Sequence, residues 1–245
     1  MGTGAHLSGA KRAQADASDR EWSGSELLIS AVLRSTMKAV GVSSPLLALD
    51  VALRLPSSVE KAVRQLNDTL NAPPTGFRFD ATHLPHITLV QQFSPVDEVD
   101  AVAEAIRSIV SVHPPLRLAT ATLTRGGTAT ALTLTPTPSL NALHRRLMNQ
   151  LAAFDIGAGD ERAFTDADAD AQKAEPARAH DVAWVTRFRT EAAYDAFDPH
   201  ITLGVGVIDA AAPSITFEAS TVALCALGRF CTCRQVLKSW ELRIG

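Results

Sequence analysis

The sequence lacks features that mark several protein classes. Its three cysteines, Cys225, Cys231 and Cys233, form neither the spaced even pairs of a disulfide framework nor the paired ligands of a zinc ribbon. No run of about 18 consecutive apolar residues is present, so the sequence predicts no membrane-spanning helix. The N-terminus also lacks the apolar run and cleavage site of a secretory signal. These absences predict a cytoplasmic protein with reduced thiols.

Positive charge is scarce as well. Charged residues make up 20% of the 245 residues and the formal net charge is -3. This balance predicts no broad basic surface for duplex DNA, although it allows a local basic cleft. Arg54, Arg125 and Arg234 are candidates for such a cleft, although a surface position is the ordinary expectation for each. A long RNA would need more Lys and Arg, so a short or small substrate is favoured.

The chain divides into an N-terminal arm and a folded region. Residues 1–44 are mostly polar and aperiodic, and we predict a flexible arm with a short amphipathic helix over 26–40. The folded region, 45–245, starts with "PLLALDVALRL" (45–55), whose apolar residues alternate as in a strand. The polar face of that strand carries Asp50 and Arg54, and it is either solvated or lines a cleft.

Further elements follow in a similar order in the two parts of the folded region. Apolar spacing predicts helices over 56–70, 94–110 and 139–154, a hairpin of strands 116–124 and 128–136, and final strands over 213–227 and 229–244. Residues 155–181 are acidic, rich in Ala and Gly and aperiodic, and we predict an inserted surface loop that restricts access to the second motif described below. The pattern predicts an α+β protein of two related lobes around a shared cleft.

One short stretch occurs twice. "LPHITLV" (84–90) is followed 114 positions later by "DPHITLGV" (198–205). Both copies have the composition of strands, in which side chains alternate between faces. His86 and Thr88 then share one face, as do His200 and Thr202. The intervening Ile and Leu residues are predicted to enter the core, which directs the imidazoles and hydroxyls toward whatever lies opposite.

Two imidazoles and two hydroxyls suit in-line displacement at phosphorus. Imidazoles titrate near neutral pH and can act as general base and general acid on opposite sides of the phosphorus atom. Threonine hydroxyls two residues along can donate hydrogen bonds to the non-bridging oxygens, where negative charge accumulates. This scheme needs neither a metal nor a cofactor, and the sequence offers no clear carboxylate cage.

The paired motifs resemble those of the 2H phosphoesterase superfamily, and most closely its 2′-5′ RNA ligase-like and cyclic phosphodiesterase branch. "HLPHITLVQQF", "FDPHITLGVG" and the closing "GRFCTCRQVLKSWEL" carry the resemblance. It covers about residues 45–244 and leaves the N-terminal arm and the acidic insert outside.

The resemblance implies a bilobal fold of two pseudo-symmetric lobes, each with a mainly antiparallel sheet and flanking helices. It implies metal-independent opening or formation of phosphodiesters, on RNA 3′ ends or small cyclic nucleotides, and hence a hydrolase or ligase of RNA processing. His86 and His200 would be the acid and base, in an order that the sequence does not assign. Thr88 and Thr202 would bind the phosphate.

Other residues have two interpretations at this stage. His83, Phe93 and Phe197 are candidate substrate contacts, although a loop or core position is an equally simple explanation. Trp184, Phe188 and Tyr194 join the two Phe residues as candidates for base stacking or for core packing. Asp198 either orients His200 or caps a turn before Pro199. We expect structural positions for the remaining histidines, which are His113, His144 and His180.

Two rival functions remain open from the sequence alone. The first is a non-catalytic binder of RNA termini or nucleotides that keeps the cleft without turnover. The second is a transition-metal hydrolase that uses His83, His86, His200 and Asp198. The intact pair of motifs argues against the binder, and persistence of activity in a chelator would exclude the metal enzyme.

Overall fold

Two antiparallel sheets of four strands each form the framework of the protein. The structure is a computed structural model, and it describes residues 44–71, 73, 76–126, 129–165, 176–209 and 211–243. The predicted helix over 26–40 and much of the acidic insert lie outside these residues. A compact unit begins at Ser44, close to the predicted start of the folded region.

Twelve strands and helices, apart from short 3₁₀ turns, make up the described chain. In order they are β1 (Leu46–Arg54), α1 (Ser57–Thr69), β2 (His86–Pro95), α2 (Val99–Val110), β3 (Leu116–Gly126), β4 (Ala129–Leu134), α3 (Pro138–Leu151), α4 (Ala179–Glu191), β5 (His200–Val205), β6 (Thr216–Ala219), β7 (Thr221–Gly228) and β8 (Thr232–Glu241). None of the helices among the described residues is long and apolar enough to cross a membrane.

The lobes do not correspond to the two halves of the sequence. The first sheet has the order β2-β1-β7-β8 and so combines strands from both ends of the folded region. The second sheet has the order β5-β4-β3-β6 and comes from the middle. Each repeated motif therefore lies on an edge strand, β2 in one lobe and β5 in the other. These two edge strands contact each other, and this brings the motifs together.

The two motif strands carry the same irregularity. Val51 pairs with Val90 and Ala52 with Thr88, which leaves Leu89 as the extra residue of a β-bulge. In the second lobe Thr130 pairs with Gly204 and Ala131 with Thr202, so Leu203 takes the equivalent place. The bulge follows the HxT triplet in both strands, and it leaves one carbonyl in each without a partner in the sheet.

Buried side chains from two helices satisfy these carbonyls. His144 of α3 directs Nδ1 at the carbonyl oxygen of Leu89, at 2.7 Å, and so donates to it. Asn67 of α1 donates from Nδ2 to the carbonyl oxygen of Leu203, at 2.6 Å. Both side chains are fully buried, where an unpaired polar group costs about 1–3 kcal/mol. Each helix therefore packs on the lobe opposite to the strand that precedes it. Helix α1 follows β1 of the first sheet but contacts β5 of the second, and α3 follows β4 of the second sheet but contacts β2 of the first.

Gly204 permits the close approach of α1 to β5. Its φ of +134° is outside the range that residues with a Cβ readily adopt. A Cβ there would lie 2.9 Å from Cδ1 of Leu70 and 3.1 Å from Nδ2 of Asn67. The glycine of the second motif is therefore required by both the backbone conformation and the packing.

The apolar residues of the motifs lie in the core as predicted. Ile87, Leu89, Ile201 and Leu203 are all 0% exposed. Complete burial of each stabilises the fold by about 1.5–3 kcal/mol relative to an exposed position. Strand alternation then leaves the His and Thr residues on the opposite face, toward the cleft.

The sequence predicted most elements with small errors. Helices α1, α2 and α3 confirm the predicted helices, but residues 94–98 belong to the end of β2 and a 3₁₀ turn. The predicted strand over 213–227 is two strands, β6 and β7, which lie in different sheets. Helix α4 was not predicted, because Asp181 and Arg189 lie on the same side as its apolar residues and no clean stripe results.

Candidate active site

The four motif residues line one cavity between the lobes. Its volume is about 730 Å³, and His86 and Thr88 contribute from β2 while His200 and Thr202 contribute from β5. This volume falls within the range of clefts that bury small ligands, about 300–1,000 Å³. The convergence of the two motifs, predicted from strand alternation, is thus present in the structure.

The two imidazoles are oriented in the same way. Nδ1 of His86 lies 2.7 Å from the carbonyl oxygen of Leu84, and Nδ1 of His200 lies 2.8 Å from that of Asp198. Because a carbonyl only accepts, Nδ1 carries the proton in both rings. A proline follows each carbonyl residue and restricts it to extended conformations, which fixes the acceptor. The repeated Pro-His pair therefore leaves Nε2 of each ring for proton transfer.

This geometry also shows what Asp198 does. Its main-chain carbonyl, rather than its exposed carboxylate, holds the ring of His200. The orienting role therefore depends on the backbone before Pro199.

A buried carboxylate distinguishes the first motif. Asp50 of β1 is 0% exposed, and its Oδ2 lies 3.6 Å from Nε2 of His86. The hydroxyl of Thr88 donates to the same oxygen at 2.8 Å. Nε2 of Gln91 also donates to it, at 2.7 Å. The polar face of β1 is therefore not solvated at Asp50, which lies directly behind the motif.

The carboxylate changes the acidity of His86. Burial alone lowers the pKa of the imidazole, but the adjacent Asp50 carboxylate and the hydrogen bond to Leu84 outweigh burial and raise the pKa above its usual value. The separation of 3.6 Å is longer than a hydrogen bond. Asp50 therefore stabilises the imidazolium without holding Nε2 in a short hydrogen bond.

In the described part of the chain, the second motif has no equivalent carboxylate. Asp50 pairs with Gln91 on the far side of the first bulge, and Ala129 pairs with Val205 on the far side of the second. Both members of the second pair are apolar and line the cavity. Among the described residues no side chain forms a hydrogen bond with the hydroxyl of Thr202, whereas the hydroxyl of Thr88 is committed to Asp50.

Helix α4 supplies a further wall of the cavity. Arg178, at its N-cap, and Trp184 and Phe188 within it line the cavity together with Phe77, Phe79 and Phe230. Arg178 is the sole Arg or Lys among the described lining residues. The wall is therefore aromatic, with a single permanent positive charge.

That positive charge is paired. Arg178 donates from Nε and Nη2 to Asp181, at 3.1 and 2.5 Å, and its guanidinium lies 4.1 Å from the ring centre of Phe230. Burial opposes ionisation of Asp181, but the bonds from Arg178 and main-chain N–H groups outweigh it and lower the pKa. Phe230 has a φ of +64°, and its N–H donates to Asp181. Asp181 thus joins α4 to the turn between β7 and β8.

The structure places the other predicted contacts away from the cavity lining. Phe93 is 0% exposed and packs edge-on against Phe164. Phe197 stacks on His144 at 3.9 Å between ring centres. His83 is buried and stacks on Phe77, with Asp80 and Arg234 near its Nδ1. Packing inside the lobes accounts for all three positions.

The arginines proposed for the cleft are also placed outside its lining. Arg54 pairs across the strands with His86 and is half-buried. Arg234 is buried beside His83, and Arg125 is exposed with Nη2 3.4 Å from the carbonyl oxygen of Ile208. Of the five aromatic candidates for stacking, Trp184 and Phe188 line the cavity, and Tyr194 does not.

One group of side chains has the spacing of metal ligands within the described residues. Asp50, His86 and Cys233 offer ligand atoms that all lie within 4.8 Å of one another. Burial, the neighbouring Cys225 and Asp50 raise the pKa of the Cys233 thiol well above its usual value, which disfavours the thiolate that a metal requires. The set His83, His86, His200 and Asp198 is not brought together in this way.

The sequence analysis did not identify six residues of the site and left Asp50 undecided. The six are Phe77, Phe79, Gln91, Arg178, Asp181 and Phe230. The signal for Asp50 was its place in the middle of the apolar strand 45–55, where a charged residue needs a partner. No comparable signal marks Arg178 or Asp181, because their helix was not predicted.

Comparison with known proteins now identifies the family. A family model described as the 2′-5′ RNA ligase superfamily matches residues 55–223. The chain belongs to this superfamily, whose members are 2H phosphoesterases. A comparison with curated proteins finds no match.

Several solved structures share the fold of this chain. E. coli LigT in apo form aligns with a TM-score of 0.53 at 18% identity, over 81% of this chain and 99% of LigT. E. coli LigT complexed with 3′-AMP aligns with a TM-score of 0.51 at 17% identity, over 80% and 98%. A structure described as a phosphoesterase gives 0.50 at 17% identity, over 80% and 98%. The predicted two-lobed α+β fold is confirmed.

Proposed function

We propose that this superfamily member is a cytoplasmic, metal-independent phosphoesterase that acts on 2′,3′-cyclic phosphodiesters of small nucleotides or RNA 3′ ends. The proposal includes 2′-5′ ligation, in which a ribose 5′-hydroxyl opens the cyclic phosphate in place of water. The observation that carries it is the shared orientation of His86 and His200. In both rings Nδ1–H donates a hydrogen bond to a backbone carbonyl, and Nε2 is left for proton transfer in one shared cavity.

Two such imidazoles can catalyse in-line displacement without a further group. One accepts a proton from the attacking oxygen while the other donates a proton to the leaving oxygen, on opposite sides of the phosphorus atom. A hydroxyl donor between them stabilises the charge on the non-bridging oxygens. The motif residues of the cavity supply each of these parts.

The cavity favours a small substrate. Its aromatic wall of Phe77, Trp184, Phe188 and Phe230 suits a nucleobase, because every base presents a face for stacking. The one arginine among its described lining residues is paired with Asp181, so little charge remains for a chain of phosphates. Crystals of E. coli LigT with 3′-AMP and with ATP show that a protein of this fold accommodates a mononucleotide. We therefore infer that a nucleoside cyclic phosphate is preferred to a long RNA.

The proposed function is tested by product analysis in EDTA. A nucleoside 2′,3′-cyclic phosphate and a short oligonucleotide with the same end are supplied to wild type, His86→Ala and His200→Ala. We expect ring opening by wild type and a loss of at least about a thousandfold in each variant, as for removal of an acid or base. His113→Gln is the matched control, because His113 is a buried histidine outside the cavity lining.

The outcomes separate the alternatives. Activity that EDTA abolishes and a divalent metal restores would contradict the two-histidine proposal. Tight nucleotide binding without turnover, retained in both alanine variants, would indicate the non-catalytic binder instead. The phosphate position in the product identifies the leaving oxygen, and equal kcat/KM for both substrates would contradict the preference for a small one.

The nucleobase contact has its own test. Trp184→Ala is expected to raise KM for the nucleoside cyclic phosphate by about tenfold, because stacking on one aromatic ring contributes about 1–3 kcal/mol. KM for ribose 2,3-cyclic phosphate, which lacks the base, should not change. A similar rise for both substrates would show that Trp184 supports the wall structurally and does not contact the base.

A further inference from the structure

We propose that Asp50 makes the two motifs unequal, so that in ring opening His86 is the general acid and His200 is the general base. The inference rests on the proposed function and adds an assignment that the repeated motif does not contain. Asp50 is a positioning residue here, because it acts on substrate only through His86.

The geometry supports this assignment in three ways. Asp50 is fully buried, so its carboxylate acts on its neighbours with little screening by water. Its Oδ2 lies 3.6 Å from Nε2 of His86, while Oδ1 has no hydrogen-bond partner among the residues that the structure describes. The equivalent position in the second lobe is Ala129, which provides no charge for His200. An imidazolium is therefore stabilised at His86 by a contact that His200 lacks.

The other ionisable groups around the site do not reverse this difference. Cys225 and Cys233 pack beside Asp50 as a buried pair, and burial raises the pKa of the Cys233 thiol, which stays neutral. Arg54 lies opposite His86 in the pairing of β1 with β2, and it is the one Arg or Lys on these two strands. On the cavity side the groups are Asp198, His200, Cys231, Arg178 at the N-cap of α4, and His180 and Asp181 within α4. Burial raises the pKa of the Cys231 thiol well above its usual value, so this thiol stays neutral. Arg178 is neutralised by Asp181.

The threonines are unequal for the same reason. The single proton of the Thr88 hydroxyl is donated to Asp50 at 2.8 Å, so it is not available to the phosphate. The hydroxyl of Thr202 has no such bond within the described residues and lies on the cavity wall. Thr202 is therefore the hydroxyl that donates to the non-bridging oxygen, while Thr88 holds Asp50 in position.

In ring opening, His200 then takes up one proton and His86 gives up one proton. Nε2 of neutral His200 accepts a proton from water as the water oxygen forms a bond to phosphorus. The phosphorus bond to one ribose oxygen breaks, and that oxygen takes the proton from Nε2 of the His86 imidazolium. Water is added across one P–O bond, and proton exchange with solvent restores both rings. Ligation keeps these roles, with a 5′-hydroxyl in place of water, and the reverse cleavage of the 2′-5′ linkage exchanges them.

The test is the pH dependence of kcat/KM for a nucleoside 2′,3′-cyclic phosphate, with Asp50→Asn as the variant. Removing the charge lowers the pKa of His86, so the alkaline limb should move down by about one pH unit, and the active range narrows. If His86 were the base, the acidic limb would move down and the range would widen. A lower rate with both limbs in place would show that Asp50 is only structural. Each of the last two results overturns the proposal.

A second variant guards against misfolding of Asp50→Asn. Thr88→Val removes a hydrogen bond from Asp50 and leaves its charge more available to His86, so the alkaline limb should move up. An alkaline limb that stays in place would contradict the proposal.

Imidazole pKa values from NMR give the same comparison without turnover: Asp50→Asn should lower the pKa of His86 and leave that of His200 unchanged. Absence of turnover in wild type would thus contradict the proposed function alone, whereas an unmoved His86 pKa would contradict this inference.

Discussion

The two lobes hold the same five-residue motif, but each motif lies against a different neighbour. Behind His86 and Thr88 the cross-strand pair is Asp50 and Gln91, and the pair at the equivalent place in the second lobe is Ala129 and Val205. The bulges and the orientation of the two histidine rings are alike in both lobes. The difference teaches that the repeated sequence fixes where the two imidazoles point, while the adjacent strand gives His86 alone a neighbouring carboxylate.

The largest expected effect comes from removing the hydroxyl of each threonine in turn. Thr202→Val should lower kcat for cyclic phosphate hydrolysis by about a hundredfold to a thousandfold, as does loss of one donor to a developing oxyanion. Thr88→Val should lower it by less than about tenfold, because its hydroxyl already donates to Asp50. Equal losses in the two variants would show that the phosphate is bound symmetrically.

The shared scaffold predicts equal structural effects in the two lobes. Asn67→Ala and His144→Ala each leave the carbonyl of a bulge residue, Leu203 or Leu89, buried without a partner. Each should lower the free energy of unfolding by about 1–3 kcal/mol, and more where a cavity forms. Denaturant unfolding measures both. A neutral effect of either variant would show that its bulge does not depend on the helix.

A carboxylate added to the second lobe should make the two motifs more alike. Ala129→Asp places a charge at the position equivalent to Asp50 and should raise the pKa of His200. A base must be neutral, so the acidic limb of the pH profile should move up by about one unit, and activity near pH 6 should fall by about tenfold. Ala129→Asn is the matched control without charge. If the alkaline limb moves instead, His200 is the acid.

The buried His144 predicts a small dependence of stability on pH. Burial lowers its pKa in the folded protein, and its Nε2 accepts a hydrogen bond from the N–H of Tyr194, which requires the neutral ring. The unfolded chain takes up the proton near the ordinary value of about 6.5, so this contribution to stability falls as the pH drops below 6.5 toward the lower folded-state pKa. His144→Gln lacks this proton uptake, and Gln can still donate to Leu89.

The stability difference between wild type and His144→Gln should therefore shrink between about pH 7 and pH 5, by at most about 1.4 kcal/mol per pH unit. Other titrating groups are common to both proteins and cancel in the difference. A gap that stays constant or widens as the pH falls would show that His144 does not titrate against folding.

Much of the fold follows from local sequence patterns. Alternation in β1 and in the two motif strands, and the apolar stripes of α1, α2 and α3, are properties of each segment alone. The pairing of β1 with β7 is not, because it joins segments more than a hundred residues apart. The sequence order therefore indicated two lobes, but it suggested one lobe for each half of the chain, whereas the first sheet takes strands from both ends.

The site was predictable to the same extent. His86, His200, Thr88 and Thr202 share a face because strands alternate, and their convergence needed only facing lobes. Asp50 was ambiguous, since its partners lie on β2 and no pattern within β1 shows them. Phe93 was a candidate contact because an aromatic near a motif suits both a base and a core. Its burial against Phe164 depends on the chain around residue 164, which showed no periodicity.

The most direct measurement of the different roles compares two substrates that differ in leaving group. A nucleoside 2′,3′-cyclic phosphate expels an alkoxide that needs a proton. A 2′-deoxynucleoside 3′-(4-nitrophenyl) phosphate, which has no 2′-hydroxyl to attack in place of water, expels a phenolate that needs none. We predict that His86→Ala loses at least about a thousandfold on the cyclic substrate and stays within about tenfold of wild type on the aryl ester. His200→Ala should fail on both. Rescue of His200→Ala by the aryl ester, with His86→Ala inactive on it, would contradict the assignment of acid and base.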